Sequence, residues 1–175
     1  MTIKTIFLDR DGVINKEKNY LYKIEDIEFI DGVFEACQYF LNLDYKIIII
    51  TNQSGISKGF YSESDYQKLT KWLSAQFYAK RISILDIFHC PHNPESKCSC
   101  RKPKPGMFIQ AKKKYNIDMK KSWMIGDKEV DISASNTAGI ENTILVRSGH
   151  LINESNSKSS HIIDTIKDAT KIILN

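Results

Sequence analysis

Thr2-Ile3-Lys4-Thr5-Ile6-Phe7-Leu8-Asp9-Arg10-Asp11-Gly12-Val13 runs from an apolar, β-branched stretch straight into two carboxylates and a glycine. Ile3 to Leu8 reads as a buried strand. Asp9 and Asp11 close it, and residues two apart on an extended chain point the same way, so both acids face one side. Similar runs follow. Lys46 to Thr51 is a second strand, and Ile84 to Cys90, Ser122 to Ile125, Thr143 to Val146 and His161 to Ile163 are shorter ones. Helical patterns separate them. Val33, Cys37, Phe40 and Leu41 share one face, with Cys37 a small core residue. Ser62 and Asp65 form a capping box ahead of Tyr66, Leu69, Leu73 and Phe77. Pro105 suits the first turn of a helix through Tyr115. Strands alternating with helices predict an α/β fold, a Rossmann-like parallel sheet with helices on both faces.

In such sheets the ligand crevice lies beyond the carboxyl ends of the strands. Three more polar motifs end strands as Asp9 and Asp11 do: Thr51-Asn52-Gln53-Ser54-Gly55, Arg101-Lys102, and Gly126-Asp127. A lone Asp-x-Asp after a strand is commonly a turn or a helix cap. Four clusters at one edge converge on one place. Asp9, Asp11 and Asp127 together would repel one another without a proton or a cation among them. Mg²⁺ suits a site of carboxylate, carbonyl and water that also holds a phosphate oxygen. Lys102, Thr51 and Asn52 would hold the other phosphoryl oxygens. Asp9 would attack phosphorus, and Asp11 would move the proton.

The chain has 175 residues, 42% hydrophobic and 26% charged, with a net charge of +4. That length holds one compact domain, residues 1–175, with a real core. No run of like charges marks a nucleic-acid arm, and aromatics do not interleave with the basic residues, so a nucleic-acid partner is not expected. The longest aliphatic run, Ile47 to Ile50, is far too short for a membrane helix. The first residues carry no charged-then-apolar leader, so the expected location is the cytoplasm, and the expected state a monomer. Ser148 to Ser160, rich in Ser and Asn, reads as a mobile surface loop.

From Pro91 to Pro105 the chain is dense in Pro, Cys, Lys and Ser, without periodicity, and a loop of that length needs a fastener. Cys90, His92, Cys98 and Cys100 supply one as a Cys₃His zinc site. His89 would point the opposite way. Four protein ligands leave no open position, so this zinc is structural and holds Arg101 and Lys102 over the crevice.

Asp9-Arg10-Asp11-Gly12, Thr51-Asn52-Gln53, Lys102 and Gly126-Asp127-Lys128-Glu129-Val130-Asp131 resemble the four motifs of the haloacid-dehalogenase-like (HAD) phosphatases, from Phe7 to about Val146. That resemblance implies Asp9 as nucleophile and Asp11 as acid/base. It also implies Mg²⁺ held by Asp9, Asp127 and the backbone carbonyl of Asp11, with Asp131 in support. No separate large cap is evident. Phe29-Ile30-Asp31-Gly32-Val33, Thr51-Asn52-Gln53-Ser54-Gly55-Ile56 and Cys98-x-Cys100-Arg101-Lys102-Pro103-x-Pro105-Gly106-Met107 narrow the resemblance to a zinc-loop subset, the heptose-bisphosphate phosphatases. There the arginine beside the motif lysine helps to recognise a sugar bisphosphate, which falls on Arg101. The stretch after the first motif contacts substrate, which falls on Glu17, Lys18, Asn19 and Tyr20, together with Arg10 and Thr51 to Ser54. Of the expected Asp-His-Gly-Tyr only Tyr20 is kept, and the zinc loop is short. Histidinol-phosphate phosphatases share a similar zinc loop. A receiver-type signalling domain also phosphorylates an aspartate on a parallel sheet, but carries its acids on different strands.

Overall fold

The computed structural model describes residues 2–174. Ten elements of regular structure build it: β1 (Thr5–Leu8), α1 (Val33–Asn42), β2 (Lys46–Asn52), α2 (Glu63–Ala79), β3 (Ile84–Cys90), α3 (Gly106–Tyr115), β4 (Trp123–Gly126), α4 (Glu129–Thr137), β5 (Asn142–Val146) and β6 (His161–Ile163). The strands pair in the order β3-β2-β1-β4-β5-β6, all parallel. The expected strands are present, shifted by one or two residues at several ends. Ile3 makes only an isolated bridge to Ile117 ahead of β1.

Alternation along the strands explains why the sheet is covered on both faces. Ile6 and Leu8 point to one side, with Ile47, Ile49, Ile125 and Ile144, against Phe40 of α1, Phe77 of α2 and Ile166 and Ala169 of a C-terminal 3-10 segment. Phe7 points to the other side, with Ile48, Ile50 and Met124, against Met107, Phe108 and Ala111 of α3 and Ala134 of α4. Each such side chain removed from water contributes about 1.5–3 kcal/mol. The predicted capping box at Ser62 is formed: its side chain accepts from the Asp65 amide, and Asp65 accepts from the Ser62 amide. Pro105 lies one residue ahead of the first turn of α3, as its N-cap.

The strand order reverses direction at β1, because the chain winds outward to β3 and then crosses back to β4. That switch point opens a crevice between the carboxyl ends of β1 and β4. Asp9 follows β1 and Asp127 follows β4, so two of the acids flank it. Among the described residues no helix is long and apolar enough to cross a membrane, and none forms a separate cap domain.

Candidate active site

At the floor of the crevice Lys102 is 2% exposed. Asn52, at the end of β2, brackets its backbone: the Asn52 amide donates to the Lys102 carbonyl at 3.1 Å and its oxygen accepts from the Lys102 amide at 3.1 Å. The Lys102 ammonium donates to the Ile50 carbonyl at 2.7 Å, and pairs with Asp131 at 2.6 Å and Asp9 at 3.1 Å. Burial works against its charge, but Asp131 and Asp9 outweigh that and raise its pKa. Asp131 in turn accepts from the backbone amides of Asp127 and Lys128, so one carboxylate caps α4 and holds the lysine.

Asp9 is held by one oxygen. Its Oδ1 accepts from the Arg10 amide at 2.8 Å and faces Lys102, whereas no hydrogen bond among the described residues engages Oδ2. Burial pushes the Asp9 carboxyl up to about 6; Lys102 opposes that, and Asp131 and Asp11 add to it. Asp127 is also raised, by burial and then by Asp9, against hydrogen bonds from His150. Oxygens of Asp9, Asp127 and Asp131 lie within 4.8 Å of one another. Asp127 Oδ2 accepts from the His150 amide at 3.0 Å and meets its ring Nδ1 at 2.6 Å, but Oδ1 is buried without a partner among the described residues. A buried carboxylate oxygen left unpaired beside another carboxylate is costly unless a cation completes it. Mg²⁺ fits that donor set, with Asp131 already engaged by Lys102.

The Asp11 side chain turns away from this cluster. Arg10 grips it with Nε at 3.1 Å and Nη2 at 2.8 Å, Asn15 donates at 2.9 Å and Gln53 at 3.1 Å. Gln53 also donates to Thr51 Oγ1 at 2.8 Å and accepts from Tyr61 at 2.5 Å. Gly12, at φ 89°, follows in the left-handed region, and a Cβ there would collide with the Asp127 carboxylate.

Asp9, Asp11, Lys102 and Asp131 line a cavity of about 320 Å³. It brings together Asp9, Asp11, Glu17, Asn19, Tyr20, Thr51, Asn52, Gln53, Ser54, Arg101 and Lys102, as the sequence predicts. Burial and the nearby Asp11 raise the Glu17 carboxyl. Of the expected substrate-binding residues, two lie elsewhere. Arg10 is buried behind Asp11 and donates to the Leu21 carbonyl, and Lys18 is drawn to Glu28 at 2.5 Å. Lys58, Tyr61 and His150 line the cavity without having been anticipated. Ser148 to His150 begin the stretch expected to be a mobile surface loop, yet Ser148 donates to the Gly12 carbonyl and His150 covers Asp127. The signal for His150 was its place just beyond β5, a fifth strand end at the same edge.

Beside the cavity, Cys90 at the end of β3 gathers its partners. Its sulfur lies 3.8 Å from Cys98, 3.2 Å from Cys100 and 3.4 Å from His92 Nδ1, which is 3.3 Å from Cys100. Sulfurs bound at about 2.3 Å around a tetrahedral zinc stand about 3.8 Å apart. The thiols are free, and a disulfide needs about 2.05 Å. The set fits zinc. His89 points away, stacked on Tyr66 and paired with Glu63.

Comparison with known proteins agrees with this geometry. A model of HAD-like hydrolases, described as "HAD-hyrolase-like", matches residues 99–169. The chain is 52% identical to the D-glycero-alpha-D-manno-heptose-1,7-bisphosphate 7-phosphatase of Photorhabdus laumondii, covering 87% of each chain. It is 51% identical to the enzyme of the same name in Campylobacter jejuni, over 83% of this chain and 84% of that one. Identity is 41% to the D-glycero-beta-D-manno-heptose-1,7-bisphosphate 7-phosphatase of Pasteurella multocida, over 97% and 96%. The fold superposes on the D,D-heptose 1,7-bisphosphate phosphatase of B. bronchiseptica, solved with magnesium and phosphate, with TM-score 0.85, 25% identity and 97% of each chain covered.

Proposed function

The chain belongs to the heptose-1,7-bisphosphate 7-phosphatases of the HAD superfamily, and from that premise we propose that it removes the C7 phosphate of D-glycero-D-manno-heptose 1,7-bisphosphate. The product would be the 1-phosphate, used to make ADP-heptose for lipopolysaccharide core. The observation that carries the chemistry is the free Oδ2 of Asp9, whose other oxygen is fixed by Lys102 and the Arg10 amide. An oriented carboxylate at the end of a rigid strand is placed for in-line attack on phosphorus.

Asp9 attacks the phosphoryl group and forms an aspartyl phosphate. Asp11 gives its proton to the departing C7 oxygen, then takes one from the water that hydrolyses the acyl phosphate. Arg10, Asn15 and Gln53 hold Asp11 in place for both steps. Lys102 and the Thr51 hydroxyl stabilise charge on the phosphoryl oxygens. Asp9, Asp127 and the Asp11 carbonyl would hold Mg²⁺, which when bound neutralises carboxylate and phosphate so that one anion can approach the other. Cys90, His92, Cys98 and Cys100 would hold one structural zinc. We take the enzyme to act as a cytoplasmic monomer.

Two relatives above half identity, those of Photorhabdus laumondii and Campylobacter jejuni, are named for the alpha anomer, which supports that anomer as substrate. The test is phosphate release with Mg²⁺ over both anomers of the bisphosphate, heptose 7-phosphate and histidinol phosphate. ³¹P NMR then identifies the phosphate that remains. Preference for histidinol phosphate, or release from C1, would overturn the reading.

A further inference from the structure

The floor of the cavity has one buried cation, Lys102, already shared between Asp9 and Asp131. It can serve the phosphate that reacts, not a second one several bonds away. That second anion must be met at the mouth. Lys18 faces Glu28 instead of the cavity.

Lys58 is at the mouth. It is exposed, lines the cavity, and pairs with no carboxylate among the described residues. Its backbone is pinned: the Lys58 amide donates to Ser54, and neighbouring Ser57 ties the loop to the Pro91 carbonyl and to Asn93. The side chain reaches across to the loop after β1, where its ammonium stands 2.7 Å from the Tyr20 hydroxyl and 5.1 Å from the centre of that ring. Tyr20 also packs on Phe60 at 4.5 Å, although the two rings are 40% and 54% exposed. Asn19 and Tyr20 both hold positive φ, 42° and 58°. Two adjacent left-handed residues that are not glycine are strained, and such strain gathers at ligand clamps.

A neutral phenol is a weak partner for an ammonium beside a phosphate dianion, whose hydrogen bonds are charge-assisted. We infer that Lys58 is a specificity-determining residue, turning from the Tyr20 hydroxyl to the non-reacting phosphate of a bisphosphorylated sugar. This rests on the reading of the site as a sugar-bisphosphate phosphatase. Arg101 supplies the cation from the zinc-loop side, its guanidinium steadied by the His92 carbonyl at 3.2 Å.

The test compares kcat/KM for heptose 1,7-bisphosphate and heptose 7-phosphate, with fructose 1,6-bisphosphate and fructose 6-phosphate as a second pair. The full chain is assayed as wild type, Lys58→Met, Lys58→Arg and Tyr20→Phe. Lys58→Met should lower the bisphosphate-to-monophosphate ratio at least about tenfold, mainly through KM, and Lys58→Arg should restore most of it. Tyr20→Phe, which removes the oxygen that holds Lys58, should keep the ratio at or above the wild-type value. Equal losses on both substrates would make Lys58 a strut between loops and overturn the inference, as would an unchanged ratio. If wild type ignores the heptose but prefers fructose 1,6-bisphosphate to its monophosphate, the functional reading fails. The fructose pair then decides Lys58 by the same ratio. A wild type that prefers neither bisphosphate overturns both.

Discussion

The buried Asp9 carboxyl works against the fold at neutral pH when no metal is bound. Its folded pKa of about 6 lies above the ordinary 3.8, so the folded state holds a proton more tightly than the unfolded chain between those values. The sign is therefore unfavourable at neutral pH: stability contributed by this group falls as pH rises from 3.8 through about 6, and stays lost above. Asp9→Asn should abolish turnover yet raise the melting temperature of chelator-treated protein at pH 7.5 by a few degrees, since the shift is worth roughly 1–3 kcal/mol. Calorimetry in EDTA checks this, and a lower melting point for the variant would contradict the burial argument. The Asp11 carboxylate has a different task. Asp11→Asn should lower kcat by about 10²–10⁴-fold, because an amide cannot shuttle the proton. The effect should shrink for an aryl phosphate, whose leaving group needs less protonation.

At the scale of elements, α4 begins on the Asp131 carboxylate that also holds Lys102, so helix capping and the placing of the buried lysine share one side chain. Asp131→Ala should destabilise the protein by roughly 3 kcal/mol, because it strips a buried lysine of its nearer partner and two amides of their acceptor. Asp131→Asn, which keeps the acceptor but not the charge, should lose less in a denaturant titration. The elements themselves were legible because β-branched runs and helical spacing are local signals, and a parallel sheet turns their order into a crevice. Asp9, Asp11 and Asp127 were legible for the same reason, since each lies just past a strand, and Lys102 was legible because it closes the cysteine loop that follows β3. Lys18 was expected in the site and Lys58 was not, since both are loop lysines whose bearing depends on distant partners, Glu28 for one and Tyr20 for the other. His150 was hidden in a polar stretch that local composition marks as loose. The hydrogen bonds of Ser148 to Gly12 and of His150 to Asp127, with Gly149 close against Asp127, show that it folds inward.

Across the whole molecule, the catalytic floor and the cavity mouth are fastened by different means. Lys102 is anchored by Asn52, the Ile50 carbonyl and Asp131, all on the sheet or α4, and none depends on the cysteine cluster. Arg101 follows Cys100 directly and leans on the His92 carbonyl, while Asn93 in the same loop holds Ser57 and, through that loop, Lys58. Zinc at Cys90, His92, Cys98 and Cys100 would thus tie the mouth together without supporting the floor. Cys98→Ser, at the least central of the three thiols, should lose the metal by elemental analysis and lower the melting temperature by a few degrees. It should raise KM for the bisphosphate about tenfold or more, because two cations lose their bearing at once, while kcat on a small aryl monophosphate falls much less. Steady-state kinetics on both substrates separates the two fastenings. Equal losses in kcat on both, with zinc gone and the fold intact by circular dichroism, would show that Lys102 relies on the zinc loop after all.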